Sequence, residues 1–240
     1  MAKAMARGWA RSGEGPEMLF TDLDAERAKS LAGEVNGETR ADLASLVADS
    51  DAILLAVKPA ALSDVAAELG GIAPPILSVM AATPLERLNE AFPGIPVLRV
   101  MPNQPAEVGR GVMVHAAPQA GAEALLELLP ALGTTIELPE EAIEAAMAVM
   151  SCSPAYLALF AEALADAGAR DGLEPALSLE LVALTLEGTA ELLRERDPAS
   201  IRAAVAPPGG ATEAGLDALA EGGFEEAIAS AVDASLARFR

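Results

Sequence analysis

Apolar positions in the first half of the chain come in short, nearly unbroken runs, while those of the second half recur at helical spacing. Runs at 18–21, 52–57, 75–79, 97–100, 111–115 and 134–138 read as strands, because a strand buried on both faces shows no alternation. Between them, 25–31, 43–48, 62–69, 85–92 and 120–132 read as helices, with Asp42 as the N-cap of the second and Pro59 closing the 52–57 strand. Strands alternating with helices at this spacing predict a parallel sheet covered on both faces, the doubly wound arrangement. Ligands of such sheets bind beyond the carboxyl ends of the strands. That rule singles out Asp22, Lys58, Ala81 and the Met101-Pro102-Asn103 turn.

The opening segment has its own period. Met1, Met5 and Trp9 recur every four residues, and Lys3, Arg7 and Arg11 form a separate stripe. An amphipathic helix that belongs to the fold accounts for both features better than a targeting peptide does. From Pro139 onward the pattern is helical throughout: 140–150, 155–170, 177–196, 200–205, 212–220 and 224–239, separated by Pro, Gly or Asp-Pro. An alternating half followed by an all-helical half divides the chain into domains at 1–138 and 139–240.

Composition narrows the partners. With 52% hydrophobic and 22% charged residues the chain is globular, and at 3% aromatic content its helices must pack through Ala and Leu. A net charge of −20 repels phosphate backbones and anionic lipid, which sets aside nucleic acid and membrane surfaces. No charge-free apolar run reaches the roughly 18 residues of a membrane span; the best candidate, 155–169, contains Glu162 and Asp166. The lone Cys152 forms no internal disulfide, which fits a reducing, cytoplasmic compartment. With His115 the only histidine, no metal centre is expected.

The candidate chemistry lies in three stretches. Pro207-Pro208-Gly209-Gly210-Ala211-Thr212 joins two helical runs, and Thr212 stands where an N-cap would be expected. A helix start of this composition presents bare N–H groups at the positive end of the dipole and suits a small carboxylate; an ordinary interhelical turn is the competing reading. Ala56-Val57-Lys58-Pro59 places amides and a cation at a strand end, where a dinucleotide would lie, although a surface lysine before proline is also unremarkable. Asp22 either binds a ribose diol or caps the following helix. Cys152 has no basic neighbour and reads as an inert thiol, and Glu162 with Asp166 as a solvated stripe. No G-x-G-x-x-G turn follows a strand in this sequence, which begins within what reads as the helix after such a turn. The natural protein is expected to extend further upstream.

Read in order, Ala56-Val57-Lys58-Pro59, Met101-Pro102-Asn103, Ser153-Pro154-Ala155-Tyr156, Glu162-Ala163-Leu164-Ala165-Asp166, Pro208-Gly209-Gly210-Ala211-Thr212 and Glu221-Gly222-Gly223-Phe224 resemble the pyrroline-5-carboxylate reductase family over essentially the whole chain. The resemblance implies a Rossmann-like domain, here without its first strand and glycine loop, and an all-helical domain through which two or more copies assemble. It implies reduction of the cyclic imine 1-pyrroline-5-carboxylate to proline with NADPH or NADH. Gly209, Gly210 and Ala211 would offer amides to the substrate carboxylate and Thr212 a hydroxyl to the imine nitrogen. Val57, Lys58 and Pro59 would line the adenosine side of the cofactor, and Ala81, Met101, Pro102 and Asn103 its nicotinamide side. Asp22 would repel a 2′-phosphate, which favours NADH. The chain departs from the family in lacking the first strand and glycine loop, at 151–154, one residue shorter and without glycine, and at Pro207, where the family has a serine. These departures keep two alternatives in view: a reductase of a different small cyclic imine, and a non-catalytic binding or assembly protein.

Overall fold

Strands form where the unbroken apolar runs place them. In the computed structural model, which describes residues 1–69, 71 and 73–239, they are β1 (Leu19–Phe20), β2 (Glu38–Thr39), β3 (Ile53–Leu55), β4 (Ile76–Ser78), β5 (Val97–Met101), β6 (Gly111–His115) and β7 (Gly133–Glu137). β3 to β7 lie side by side in one sheet, and β1 pairs with β2 in a second. β2 escapes the sequence pattern because Glu38 and Thr39 are polar and exposed.

β3, β4 and β5 are parallel, aligned through Leu55, Ser78 and Arg99, and β6 is parallel to β7. The sheet is nevertheless mixed and not wholly parallel as the alternation suggested, because β6 runs antiparallel to β5. The connection at 102–110 is a single 3-10 turn, Gln104–Val108, ending at Gly109 with φ 70°. A parallel return needs a crossover of about a dozen residues or more, and this segment is too short to provide one.

Side chains alternate across the sheet into two cores. Leu77, Leu98, Val100 and Met113 pack on one face with Met5, Trp9, Leu129 and Leu132. Ile53, Leu55, Ile76 and Val97 pack on the other with Leu46, Leu88 and Phe92. Met5 and Trp9 come from α1 (Ala2–Ser12), which the structure places within the fold. The Trp9 indole donates to Leu128 O at 2.7 Å. Gly8 lets α1 lie against the 3-10 turn, since a Cβ there would collide with the Ala106 carbonyl. On its polar side, Lys3 and Arg7 pair with Glu34 of α2 (Ala25–Val35) at 2.9 and 2.6 Å, and Arg7 reaches Glu107 at 2.6 Å.

Asp42 caps α3 (Leu43–Ala48) by accepting Ser45 N–H, and α4 (Leu62–Leu69) and α5 (Leu85–Ala91) complete the helical cover. The single helix read at 120–132 is instead two 3-10 segments, Glu123–Leu128 and Pro130–Leu132. Pro130 has no N–H to continue an α-helix. The apolar pattern still marks what is inside: Leu125, Leu129 and Leu132 are buried.

The chain divides into two compact units, Met1–Pro154 with Leu236–Arg240, and Ala155–Ser235. The sequence divides it at 138/139 instead. The difference is α6 (Ile143–Met150), whose Ile143 and Met147 bury against Met101, Val114 and Ala116. The rest is helical: α7 (Ser153–Arg170), α8 (Pro175–Glu195), α9 (Pro198–Val205), α10 (Ala211–Glu221) and α11 (Phe224–Phe239). Within the helical unit, Ser178 Oγ donates to Ala165 O at 2.7 Å, Tyr156 and Ser235 hydroxyls lie 2.6 Å apart, and Phe160 meets Phe224 edge-on. Its buried side chains are few and small, and Leu157, Leu159, Leu164, Leu179, Leu181 and Leu184 are exposed. Apolar surface on this scale marks an interaction face. Within Glu140–Arg170 an 18-residue segment reaches a mean hydropathy of 1.5, that of a membrane span. Its chain is interrupted at Ser151-Cys152 between α6 and α7.

Candidate functional site

The carboxyl ends of β3, β4 and β5 form one edge of the parallel part of the sheet, because the three strands are in register. Val57 and Lys58, beyond β3, are exposed, and Lys58 leads into the 3-10 turn Pro59–Ala61. Ala81, beyond β4, is half-buried, and its carbonyl accepts the Thr83 hydroxyl at 3.1 Å. The next residue, Ala82, takes a left-handed φ of 52°, a conformation that turns the chain sharply at the strand end. Beyond β5, Met101, Pro102 and Asn103 are buried. The structure therefore brings Val57, Lys58, Pro59, Ala81, Met101, Pro102 and Asn103 to one edge, as the strand-end rule requires.

Asp22 follows β1, in the other sheet. Asp24, and not Asp22, caps α2 by accepting Arg27 N–H at 3.2 Å. Asp22 Oδ1 accepts the Asp24 amide at 2.9 Å, and Oδ2 lies 3.7 Å from Arg27. Its carboxylate is thus held at the end of the strand with one oxygen facing a cation.

The Pro207-to-Thr212 stretch lies in the helical unit. Helix α10 begins one residue earlier than the sequence suggests: its N-cap is Gly210, and Thr212 lies inside the first turn. Gly209 has φ 74°, available at no steric cost only to glycine. Two of the three amides singled out here are already used. Gly209 N–H donates to Glu213 at 2.7 Å, and Gly210 N–H donates to the Pro207 carbonyl at 2.9 Å. The amides of Ala211 and Thr212 have no partner among the described residues, and the Thr212 side chain is exposed. The geometry offers two free N–H groups and one hydroxyl at a helix start, enough to orient a small anion.

Sequence reasoning missed Glu213, which the spacing Gly209-x-x-x-Glu213 could have flagged as a capping partner. It also missed Arg99, whose side chain is 1% exposed and pairs with Glu140 at 2.9 Å and Glu144 at 2.6 Å. The signal was present as a lone arginine in an otherwise apolar strand, since a buried charge demands partners. Cys152 is a half-buried free thiol, and buried His115 holds the Ala116 carbonyl through Nδ1 at 2.8 Å. Neither lies in the stretches above.

Residues 140–240 match the profile of the pyrroline-5-carboxylate reductase dimerisation family. Residues 1–82 match that of the coenzyme F420-dependent NADP oxidoreductase family. The pyrroline-5-carboxylate reductase of Synechocystis is 41% identical over 198 residues, covering 79% of this chain and 74% of that protein. The 1-pyrroline-5-carboxylate reductase structure from Streptococcus pyogenes superposes with a TM-score of 0.90 at 29% identity, over 100% of this chain and 94% of that one. The Plasmodium falciparum pyrroline carboxylate reductase, solved with NADP bound, shares the fold at 24% identity with a TM-score of 0.84, over 98% and 92%. With helical-segment match, whole-length likeness and strand-end motifs in agreement, the chain belongs to the pyrroline-5-carboxylate reductase family.

Proposed function

We propose that this protein reduces 1-pyrroline-5-carboxylate to proline with NADPH or NADH, residues 1–138 holding the cofactor and 139–240 the substrate and the contact between copies. The observation that carries the reading is the row of strand ends Val57-Lys58-Pro59, Ala81 and Met101-Pro102-Asn103 in a chain of this family. The residues fit a nicotinamide cofactor. Val57 and Lys58 are exposed and Ala81 is half-buried at the ends of adjacent parallel strands, the place where dinucleotides lie in such sheets. When bound, the cofactor supplies the hydride. Asp22 would take the ribose, Val57, Lys58 and Pro59 would line the adenosine side, and Ala81, Met101 and Pro102 would seat the nicotinamide, with the inward-facing Asn103 completing their turn.

With the Gly209 and Gly210 amides occupied by Glu213 and Pro207, the Ala211 and Thr212 amides form the backbone seat for the substrate carboxylate, and Thr212 donates its hydroxyl to the imine nitrogen. Reduction of an imine asks little more of a protein than orientation, exclusion of water and a donor at nitrogen. The absence of a histidine or an acid pair from these stretches is consistent with that chemistry. The exposed leucines of the helical unit support assembly of copies through 140–240, and the reading carries with it a cytoplasmic enzyme acting on a small imino acid, with no metal. On cofactor choice, the family matched at 1–82 uses NADP, while the Asp22 carboxylate disfavours a 2′-phosphate and Arg27 beside it offsets part of that charge.

The test is consumption of NADPH and of NADH, followed by nicotinamide absorbance, on adding 1-pyrroline-5-carboxylate to the full-length protein. Turnover with either cofactor is the expected result, and none with both would overturn the reading. Pro207 favours one alternative, a different small cyclic imine, because it offers no donor where the family's serine stands. A panel of cyclic imines with and without a ring carboxylate separates the two.

A further inference from the structure

We infer that Asn103 is a positioning residue, which fastens the Met101-Pro102-Asn103 turn to the last carbonyl of α6 and so sets the nicotinamide seat by the helix that opens the dimerisation segment. This rests on the function proposed above. Asparagine carries one acceptor oxygen and one donor nitrogen, and here both face inward. Oδ1 accepts Val112 N–H, at the start of β6, at 2.8 Å. Nδ2 donates to Met150 O, at the end of α6, at 3.1 Å. Asn103 is 6% exposed, so its amide acts on a bound molecule through the turn it holds and not by touching that molecule.

The Met150 carbonyl needs this donor. In a continuing helix it would accept the N–H four residues on, and that residue is Pro154, which has none. Asn103 supplies the missing hydrogen bond from another element. Ser151 Oγ adds a bond to the Pro102 carbonyl at 3.3 Å. At the other end of the same helical segment, Arg99 of β5 grips Glu140 and Glu144. One strand and its turn therefore hold α6 at both ends by directional bonds. Apolar packing alone would bury the helix as well, but would not fix its register against the turn.

Asn103→Asp and Asn103→Ala in the full chain test the inference. The aspartate keeps the acceptor for Val112 and loses the donor to Met150, while alanine loses both. The expected result is a fall in kcat of about tenfold or more from misplacement of the reacting groups, with NADPH affinity, measured by direct titration, unchanged. In Asn103→Asp alone, kcat recovers as the pH falls and the carboxyl regains a proton to donate to Met150 O. Loss confined to NADPH affinity would make Asn103 a cofactor ligand and overturn the inference, as would a kcat equal to that of the parent. Hydrogen exchange of peptides covering 100–113 and 147–153 keeps the question separate from the activity. Both regions should exchange faster together in Asn103→Ala, and an unchanged 147–153 region would overturn the inference. If the parent protein turns over no substrate, the proposed function fails, and the exchange result alone decides what Asn103 does.

Discussion

Thr212 and Glu213 are neighbours with opposed consequences for the same helix start. Thr212 leaves a hydroxyl exposed in the first turn of α10, which is proposed to hydrogen-bond the imine nitrogen. Thr212→Ala should lower kcat by about a hundredfold, the cost of removing one donor that acts on the reacting atoms, while cofactor affinity stays intact. Unchanged turnover would remove Thr212 from the chemistry. Glu213 sets a carboxylate on the Gly209 amide, next to the free amides proposed to bind the substrate carboxylate. Glu213→Ala frees that amide and removes a like charge, so KM for the imino acid should fall; a rise would show that Glu213 is needed to shape the turn. The sequence identified the stretch by its prolines and glycines, whose backbone restrictions are local. It did not reveal that the Gly209 and Gly210 amides are occupied, because that depends on how the turn closes and where one side chain lies.

At the scale of elements, the first helix shows how pattern and packing divide the work. Its period grouped Met1, Met5 and Trp9 apart from Lys3, Arg7 and Arg11; the fold buries Met5 and Trp9, leaves Met1 exposed, and supplies Glu34 and Glu107 as partners of Lys3 and Arg7. Bonds from Lys3 and Arg7 hold the Glu34 carboxyl below its ordinary range, and bonds from Arg7 do the same for Glu107. A carboxyl whose pKa is lowered on folding stabilises the fold above its unfolded value, about 4.3, and loses that contribution as the pH falls towards the folded value. Glu34→Gln should therefore lower the melting temperature at neutral pH, with the gap to the parent closing in acid. A gap independent of pH would show that the pairs contribute nothing through charge. The antiparallel β6 and the 3-10 segments within 120–132 were not legible, because runs of apolar residues give burial but neither strand direction nor helix type.

For the whole molecule, the helical unit is incomplete alone. Leu159 is 66% exposed and Leu184 58%, on helices within the span that matches a dimerisation family. The protein should sediment as a dimer or larger assembly, and Leu159→Asp should shift it towards monomer with loss of turnover. A monomeric parent protein would contradict this. The low aromatic content already pointed to helices packed through small side chains, but which leucines lack cover is visible only when the chain is folded.

By itself the sequence determined the alternating half, the helical half, the strand-end residues and the Pro207-to-Thr212 helix start, since each follows from local periodicity or backbone restriction. Only the tertiary structure decided that the sheet is mixed and split in two, that α6 belongs with the sheet, and that Asn103 substitutes for the donor missing at Pro154. Those outcomes depend on contacts between residues far apart in the chain, and no local pattern encodes which distant partner completes a hydrogen bond or covers an apolar face.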